Sequence, residues 1–376
     1  MEVNTNQVIQ IIEELAPREL AVEGDNPGLQ LGHPSAPVRK VMISLDVTSR
    51  VIEETVAKGI DLLISHHPLF YQPLNSLSFD ETRGQVIKEA VKAGLNIYSA
   101  HTNLDICQGG INDYLADLLH FDGNRKPLQV TAEDRLKKLT VFVPPDHLEE
   151  VREAISLAGA GWIGNYSHCT FQAEGQGTFK PLEGSNPYLG SYGSLERVGE
   201  VRLETILPES RRARVLKAME RAHPYEEVAY DLYYLENTGH QLGLGRFAPL
   251  KEPFKLQEYL QLIKEQFNLS QLRLYGPERM DMTQSIESAA LCSGSGGDLF
   301  YSALSLGAQL YITGDLKHHQ LLAAAEEGLP LVEVDHFQAE KRGMAVVLEY
   351  LEDKNREQGL GLELYSAEES SPLQLI

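Results

Sequence analysis

The adjacent pair His66-His67 and two later pairs spaced four apart, His101/Asp105 and His336/Glu340, put nitrogen and oxygen donors in a pattern suited to divalent metal. Imidazole and carboxylate bind zinc and similar ions at about 2.0–2.2 Å, so such donors must converge from several elements. Six candidates exceed the three or four that one tetrahedral ion takes. A pair of ions with a bridging carboxylate fits better, an arrangement that lowers the pKa of a water for hydrolytic attack. Thiolates contribute little: Cys107, Cys169 and Cys292 form no CxxC, and their odd number supports neither a disulfide framework nor a zinc knuckle. Imidazole and carboxylate alone leave zinc, iron, manganese, cobalt and nickel open.

A chain with twelve histidines produces chance His-His pairs, and a lone histidine is more often packed or on the surface. Context separates these from chance. The spaced pairs close two similar stretches, AGLNIYSAHTNLD and EGLPLVEVDHFQAE, and VAKGIDLLISHH matches LSLGAQLYITGD in order and spacing, with Gly314-Asp315 in the place of His66-His67. VRKVMISLD reads as a strand whose Asp46 and Thr48 cap the helix TSRVIEETVAKG, which Gly59 ends. IDLLIS is then a buried strand delivering SHHP, and Pro68 puts both histidines in a loop at its carboxyl end. The helix GQVIKEAVKAG and strand LNIYSA bring His101 to the same edge. Downstream, ESAALCSG, DLFYSALSLG, AQLYIT, QLLAAAEEG and LPLVEV repeat the alternation and end at His336. It opens a helix on which Glu340 lies one turn further along the same face. The expected fold class is α/β, a duplicated core with helices around mainly parallel sheets, where ligands gather beyond strand carboxyl ends.

Between the halves the rhythm changes. LTVFVPP, HLEEVREAISLAG, HCTFQA, GEVRLETIL, ESRRARVLKAMERA and EVAYDLYYL run β-α-β-β-α-β, the ferredoxin-like order. Residues 135–240 therefore read as an inserted domain between core halves 1–134 and 241–376, and FKPLEGSNPYLGSYGSLERVG inside it as a long mobile loop or contact arm. Three smaller clusters flank the predicted site. GDLKHH holds Asp315, Lys317, His318 and His319 and is equally a capped helix start. His101 and His319 are candidates for handling protons or supporting ligands. CSGSGGDLF is a tight strand-to-helix turn or, as the second choice, an anion cradle. GDNPGLQLG is turn chemistry, with Asp25 and Asn26 as further candidate contacts.

A formal charge of −21 disfavours a nucleic-acid face. The N-terminus lacks a signal-peptide pattern and no apolar run approaches 20 residues, so a cytoplasmic chain without a membrane span is expected. In combination GDNPGLQLG, DLLISHHPLF, SAHTNLD, CSGSGGD, TGDLKHH and DHFQAE resemble the successive motifs of the NGG-interacting-factor-three family, also known as GTP cyclohydrolase I type 2 homologues. The resemblance implies two divalent ions, zinc or iron first, held by His66, His67, Asp105, His336 and Glu340, with Glu340 as the bridge. The insert, with HPYEEVAYD near its end, is similar to the PII/CutA-like folds of longer bacterial members. The resemblance also implies a homo-hexamer, a trimer of dimers. Two functions are then in view: a metal-dependent hydrolase of a small, nucleotide-like substrate, or a non-catalytic metal-binding regulator or scaffold whose insert senses a small effector.

Overall fold

The apolar runs that precede the candidate ligands form parallel strands. A computed structural model describes residues 3–373. In it Lys40–Ser44, Leu62–Ser65 and Asn96–Ser99 lie side by side, in that order, in one five-stranded sheet. Their alternate side chains serve two cores. Val41, Ile43, Leu62 and Ile64 enter a core shared with the helices Thr5–Leu15 and Ala345–Gln358, while Met42, Leu63 and Ile97 meet Val51, Ile52, Val86 and Ile87 on the opposite face. Burial on both faces explains why these strands read as unbroken apolar runs rather than as alternation. The helix Ser49–Lys58 starts where the Thr48 hydroxyl accepts the Val51 N–H at 3.3 Å and stops at Gly59, whose φ of 63° suits glycine.

The second half repeats the scheme. Ser285–Leu291, Tyr311–Thr313 and Leu331–Glu333 are parallel neighbours in the same order. Ala289, Ile312 and Val332 enter the core shared with the first sheet, and Ala290, Tyr311 and Leu331 pack against Phe300, Ala303 and Ala324 of the outer helices. The sheets are mixed rather than simply parallel. Gly28–Leu31 pairs antiparallel with Asn96–Ser99 in a stretch read from sequence as a turn, and Arg273–Tyr275 does the same against Leu331–Glu333. At the other edges Glu363–Ser366 runs parallel to Lys40–Ser44, whereas Arg246–Lys255 runs antiparallel to Ser285–Leu291. The last strand among the described residues thus completes the first sheet.

Glu133–Gln241 forms a compact unit of its own, and the rest of the chain forms the other. It contains Leu136–Val143, Leu148–Leu157, Phe171–Phe179, Glu196–Pro208, Arg212–Ala222 and Tyr230–Tyr234, in β-α-β-β-α-β order. Its four strands are antiparallel, and Leu139, Val141, Val143 and Leu203 pack against Val151, Ile155, Val215 and Met219 of the two helices. The Gly/Ser/Pro-rich segment is shorter than expected. Phe179 ends one strand and Glu196 begins the next, so only 180–195 connects them. Among the described residues no helix is long and apolar enough to cross a membrane.

Candidate metal centre

Both sheets point the carboxyl ends of their parallel strands at one place. His66 and His67 follow Leu62–Ser65, His101 follows Asn96–Ser99, and His336 opens the helix His336–Gly343 after Leu331–Glu333. Donor atoms of His66, His67 and His101 lie within 4.8 Å of one another, as do those of His67, His336 and Glu340. His67 belongs to both groups. Glu340 Oε2 stands 3.1 Å from His67 Nε2 and 2.8 Å from His336 Nε2, and Glu340 Oε1 is 3.8 Å from His66 Nε2. Asp105, on the short helix Thr102–Ile106, brings Oδ2 to 3.8 Å from His66 Nε2. Residues from the two ends of the polypeptide therefore meet around a single carboxylate.

The approaches to Glu340 are close without being directed as hydrogen bonds. His66 Nε2, His336 Nε2 and Glu340 Oε2 are buried and have no hydrogen-bond partner among the described residues. Leaving such atoms unpaired costs roughly 1–3 kcal/mol each, which a bound cation would recover. This donor set fits a divalent metal: imidazole nitrogens and carboxylate oxygens converge, and no thiolate joins them.

The opposite ring nitrogen of each histidine is held. His66 Nδ1 is 2.9 Å from the Ala100 carbonyl, His67 Nδ1 2.8 Å from Asp46 Oδ1, His101 Nδ1 2.7 Å from Asp25 Oδ1, and His336 Nδ1 2.6 Å from Asp315 Oδ2. A carbonyl or carboxylate accepting from Nδ1 fixes the tautomer that leaves Nε2 free as a donor toward metal. Asp315 reaches His336 from a left-handed backbone with φ of 52°, a conformation that aspartate tolerates better than most residues. Asp46, read from sequence as a helix cap, instead anchors His67, and Thr48 alone caps that helix.

Neighbouring histidines are tuned in opposite directions. Full burial lowers the His66 pKa, outweighing the pull of Asp105 and Glu340. For His67 burial is overcome by Asp46 and Glu340, which raise it to about 10, and contact with Glu340 takes His336 to about 9. Burial would raise Glu340, but His66, His336 and His67 hold it well below the usual carboxylate range. Asp105 shifts upward, through burial with the charge of Glu340 adding to it. Asp25, though buried, is held down to about 2 by hydrogen bonds from His101 and Thr102.

The remaining sequence candidates divide. Asp25 reaches the cluster, whereas Asn26 turns away to the Phe70 carbonyl at 2.7 Å. His101, read as a supporting group, stands among the converging donors, while His319 lies exposed on the first turn of His318–Glu327 and in neither group. In CSGSGGDLF, Ser293 Oγ donates to Asp105 Oδ1 at 3.1 Å, and a Cβ at Gly294, where φ is 62°, would collide with Glu340. The small residues let the loop pack on the carboxylates, the tight-turn reading rather than an anion cradle. Glu369, for which the sequence carried no signal, accepts the Leu45 and Asp46 N–H groups at 2.9 Å and the Lys341 ammonium at 2.7 Å.

Known proteins share this arrangement of chain. The family described as Duf34/NIF3 (NGG1p interacting factor 3) matches residues 3–372. A "GTP cyclohydrolase 1 type 2 homolog" of Bacillus subtilis (strain 168) is 43% identical over 339 residues, covering 90% of this chain and 89% of that protein. Its namesake from Halalkalibacterium halodurans is 44% identical, covering 89% of this chain and 88% of its own. The crystal structure of a Bacillus cereus protein related to NIF3 superposes with a TM-score of 0.88 at 40% identity, covering 100% of both chains. With the match running nearly end to end, the chain belongs to the Duf34/NIF3 (NGG1p interacting factor 3) family.

Proposed function

We propose that the chain is a metal-dependent hydrolase acting on a small, nucleotide-like substrate through two divalent ions, zinc or iron first. His66, His67, Asp105, His336 and Glu340 would hold them, with Glu340 between the two groups. The observation that carries this is the trio of buried, unpartnered atoms, His66 Nε2, His336 Nε2 and Glu340 Oε2, facing one another at the strand ends. Ions there would supply Lewis acidity and lower the pKa of a water. Asp25 fixes the Nδ1–H of His101 and leaves Nε2 as an acceptor, the form needed to take a proton. The names carried by relatives support the hydrolytic reading over the regulator or scaffold. We further propose that Glu133–Gln241 is an inserted ferredoxin-like domain of the PII/CutA kind, as its β-α-β-β-α-β order suggests, and that the protein assembles as a cytoplasmic homo-hexamer, a trimer of dimers.

The test is turnover. Purified, metal-loaded protein is offered nucleotides, phosphodiesters and cyclic amides, with elemental analysis of the protein as isolated. Metal-dependent product that disappears in Glu340→Gln together with the bound metal supports the proposal. Two equivalents of metal with no product across the panel overturn the hydrolase and leave the regulator.

A further inference from the structure

The motif HPYEEVAYD takes no part in the metal centre; within Glu133–Gln241 it builds something else. His223 is buried, and both ring nitrogens are engaged. Nδ1 accepts the Tyr225 N–H at 3.1 Å, so Nε2 carries the proton and donates to the Phe142 carbonyl at 3.0 Å. Burial lowers the pKa of this imidazole and keeps it neutral. His223 thereby sets Tyr225 in place relative to the strand carrying Phe142, and Tyr225 and Phe142 line a cavity of about 590 Å³. That volume lies within the roughly 300–1,000 Å³ of small-molecule sites.

The cavity wall has a definite chemistry. Phe179, Tyr188 and Tyr225 contribute rings, with Tyr225 6.3 Å from Phe179 and 6.1 Å from Tyr188 at interplanar angles of 52° and 44°. At these separations the rings splay around a space instead of stacking. Tyr188 is braced from behind by His147, whose Nε2 is 3.2 Å from its hydroxyl. Glu200, Glu226 and Glu227 also line the space, against a single cation, Lys180. A Cβ at Gly177 would strike the Glu200 carboxylate, so this glycine is what lets Glu200 lie across the strand. The buried Tyr225 hydroxyl lies beside the Glu200 carboxylate, and burial together with that carboxylate pushes its pKa up to about 12.

Aromatic faces attract a cation through their quadrupoles, worth about 0.5–2 kcal/mol per contact, and carboxylates behind them add charge attraction. The same carboxylates repel phosphates and other anions. We propose that this cavity binds a small organic cation, an ammonium or methylated ammonium on a flat apolar body, seated among Phe179, Tyr188 and Tyr225 with Glu200 facing its charge. The proposal is independent of what the metal centre does.

The probe is benzyltrimethylammonium, titrated calorimetrically into the full-length, metal-loaded protein, with benzyl alcohol and benzoate as neutral and anionic ligands sharing its ring. The cation should bind saturably, once per chain, and more tightly than either control. Glu200→Gln and, separately, Tyr188→Ala should each weaken it by roughly tenfold. Both side chains are off the packed core, and unchanged metal content and melting temperature confirm that each variant is folded. Equal binding of all three ligands, no saturable heat with the cation, or cation affinity unchanged in both variants would overturn the proposal.

Discussion

The two halves of the core carry the same strand ends and use them differently. After Leu62–Ser65 come His66 and His67, both donors; after Tyr311–Thr313 come Gly314 and Asp315, of which the glycine admits the backbone of Gly294 and Val334 and the aspartate anchors His336. His101 and His336 occupy matching positions, yet the side chain of His336 is 31% exposed and that of His101 16%, while His66 is wholly buried. Asp105 is satisfied on one oxygen by Ser293 and shifts upward, whereas Glu340 meets three histidines and shifts downward. A repeated frame therefore fixes where donors can stand. What each donor does is set later, by burial and by the partner behind each ring.

The sharpest way to break this contrast is to neutralise each acid in turn. Glu340→Gln removes the charge that faces His66, His67 and His336, so elemental analysis should find little metal of any kind. On the proposed two-ion centre, Asp105→Asn removes the charge beside His66 and should leave about one equivalent. Equal losses in the two variants would mean that the halves form one indivisible site.

Protons give the second test. In metal-free protein His67 and His336 have folded pKa values of about 10 and about 9 against an ordinary 6.5. The pairing of His67 with Asp46 and Glu340, and of His336 with Glu340 and Asp315, therefore contributes stability that is fully present below pH 6.5 while the carboxylates stay ionised, and that is lost as pH rises through 9 to 10. Metal requires unprotonated imidazole, so loading these residues should release protons and strengthen with rising pH, whereas His66, its pKa lowered by burial, contributes no release. Calorimetry in buffers of different ionisation enthalpy measures the release. His336→Gln should reduce it, and an unchanged count would show that the exposed half does not load as described.

A smaller effect separates ligands from their anchors. Asp315→Asn keeps the shape behind His336 but weakens the acceptor for Nδ1, and such changes cost about 10- to 100-fold in metal affinity. Competition with a chelator should show weakened binding at the exposed group with the buried group unaffected. Asp25→Asn should do the reverse, weakening the group that contains His66, His67 and His101.

Much of this was legible in sequence because it followed from local rules. Apolar runs bounded by Gly59 and Gly94 gave the strands, and the four-residue spacing of His336 and Glu340 put both on one helical face. The edges escaped, since Gly28–Leu31 is short and rich in turn residues, and Glu363–Ser366 pairs with a strand more than 300 positions earlier. The anchors escaped for a related reason. Asp46 at a strand end satisfies the sequence rule for a helix cap, and only tertiary contact shows that its oxygen goes to His67. His319 differs the other way: a histidine four residues from a promising aspartate, it lies exposed on the first turn of its helix.

Glu369 is the farthest of these supports from the donors and should have the mildest effect on metal. Its carboxylate, 5% exposed, holds the backbone of Leu45 and Asp46 in the first half and Lys341, the neighbour of Glu340, in the second. It thus ties the anchor of His67 to the helix that carries the shared acid. Glu369→Gln retains an acceptor for the two N–H groups but loses the charge paired with Lys341, at roughly 1–3 kcal/mol of stability. If the tail aligns the halves, metal affinity should also fall a few-fold and metal dissociation should quicken, measured by chelator competition below the melting transition. A lower melting temperature with unchanged dissociation would reduce Glu369 to a strap, and the contrast between the halves would then rest on the strand ends alone.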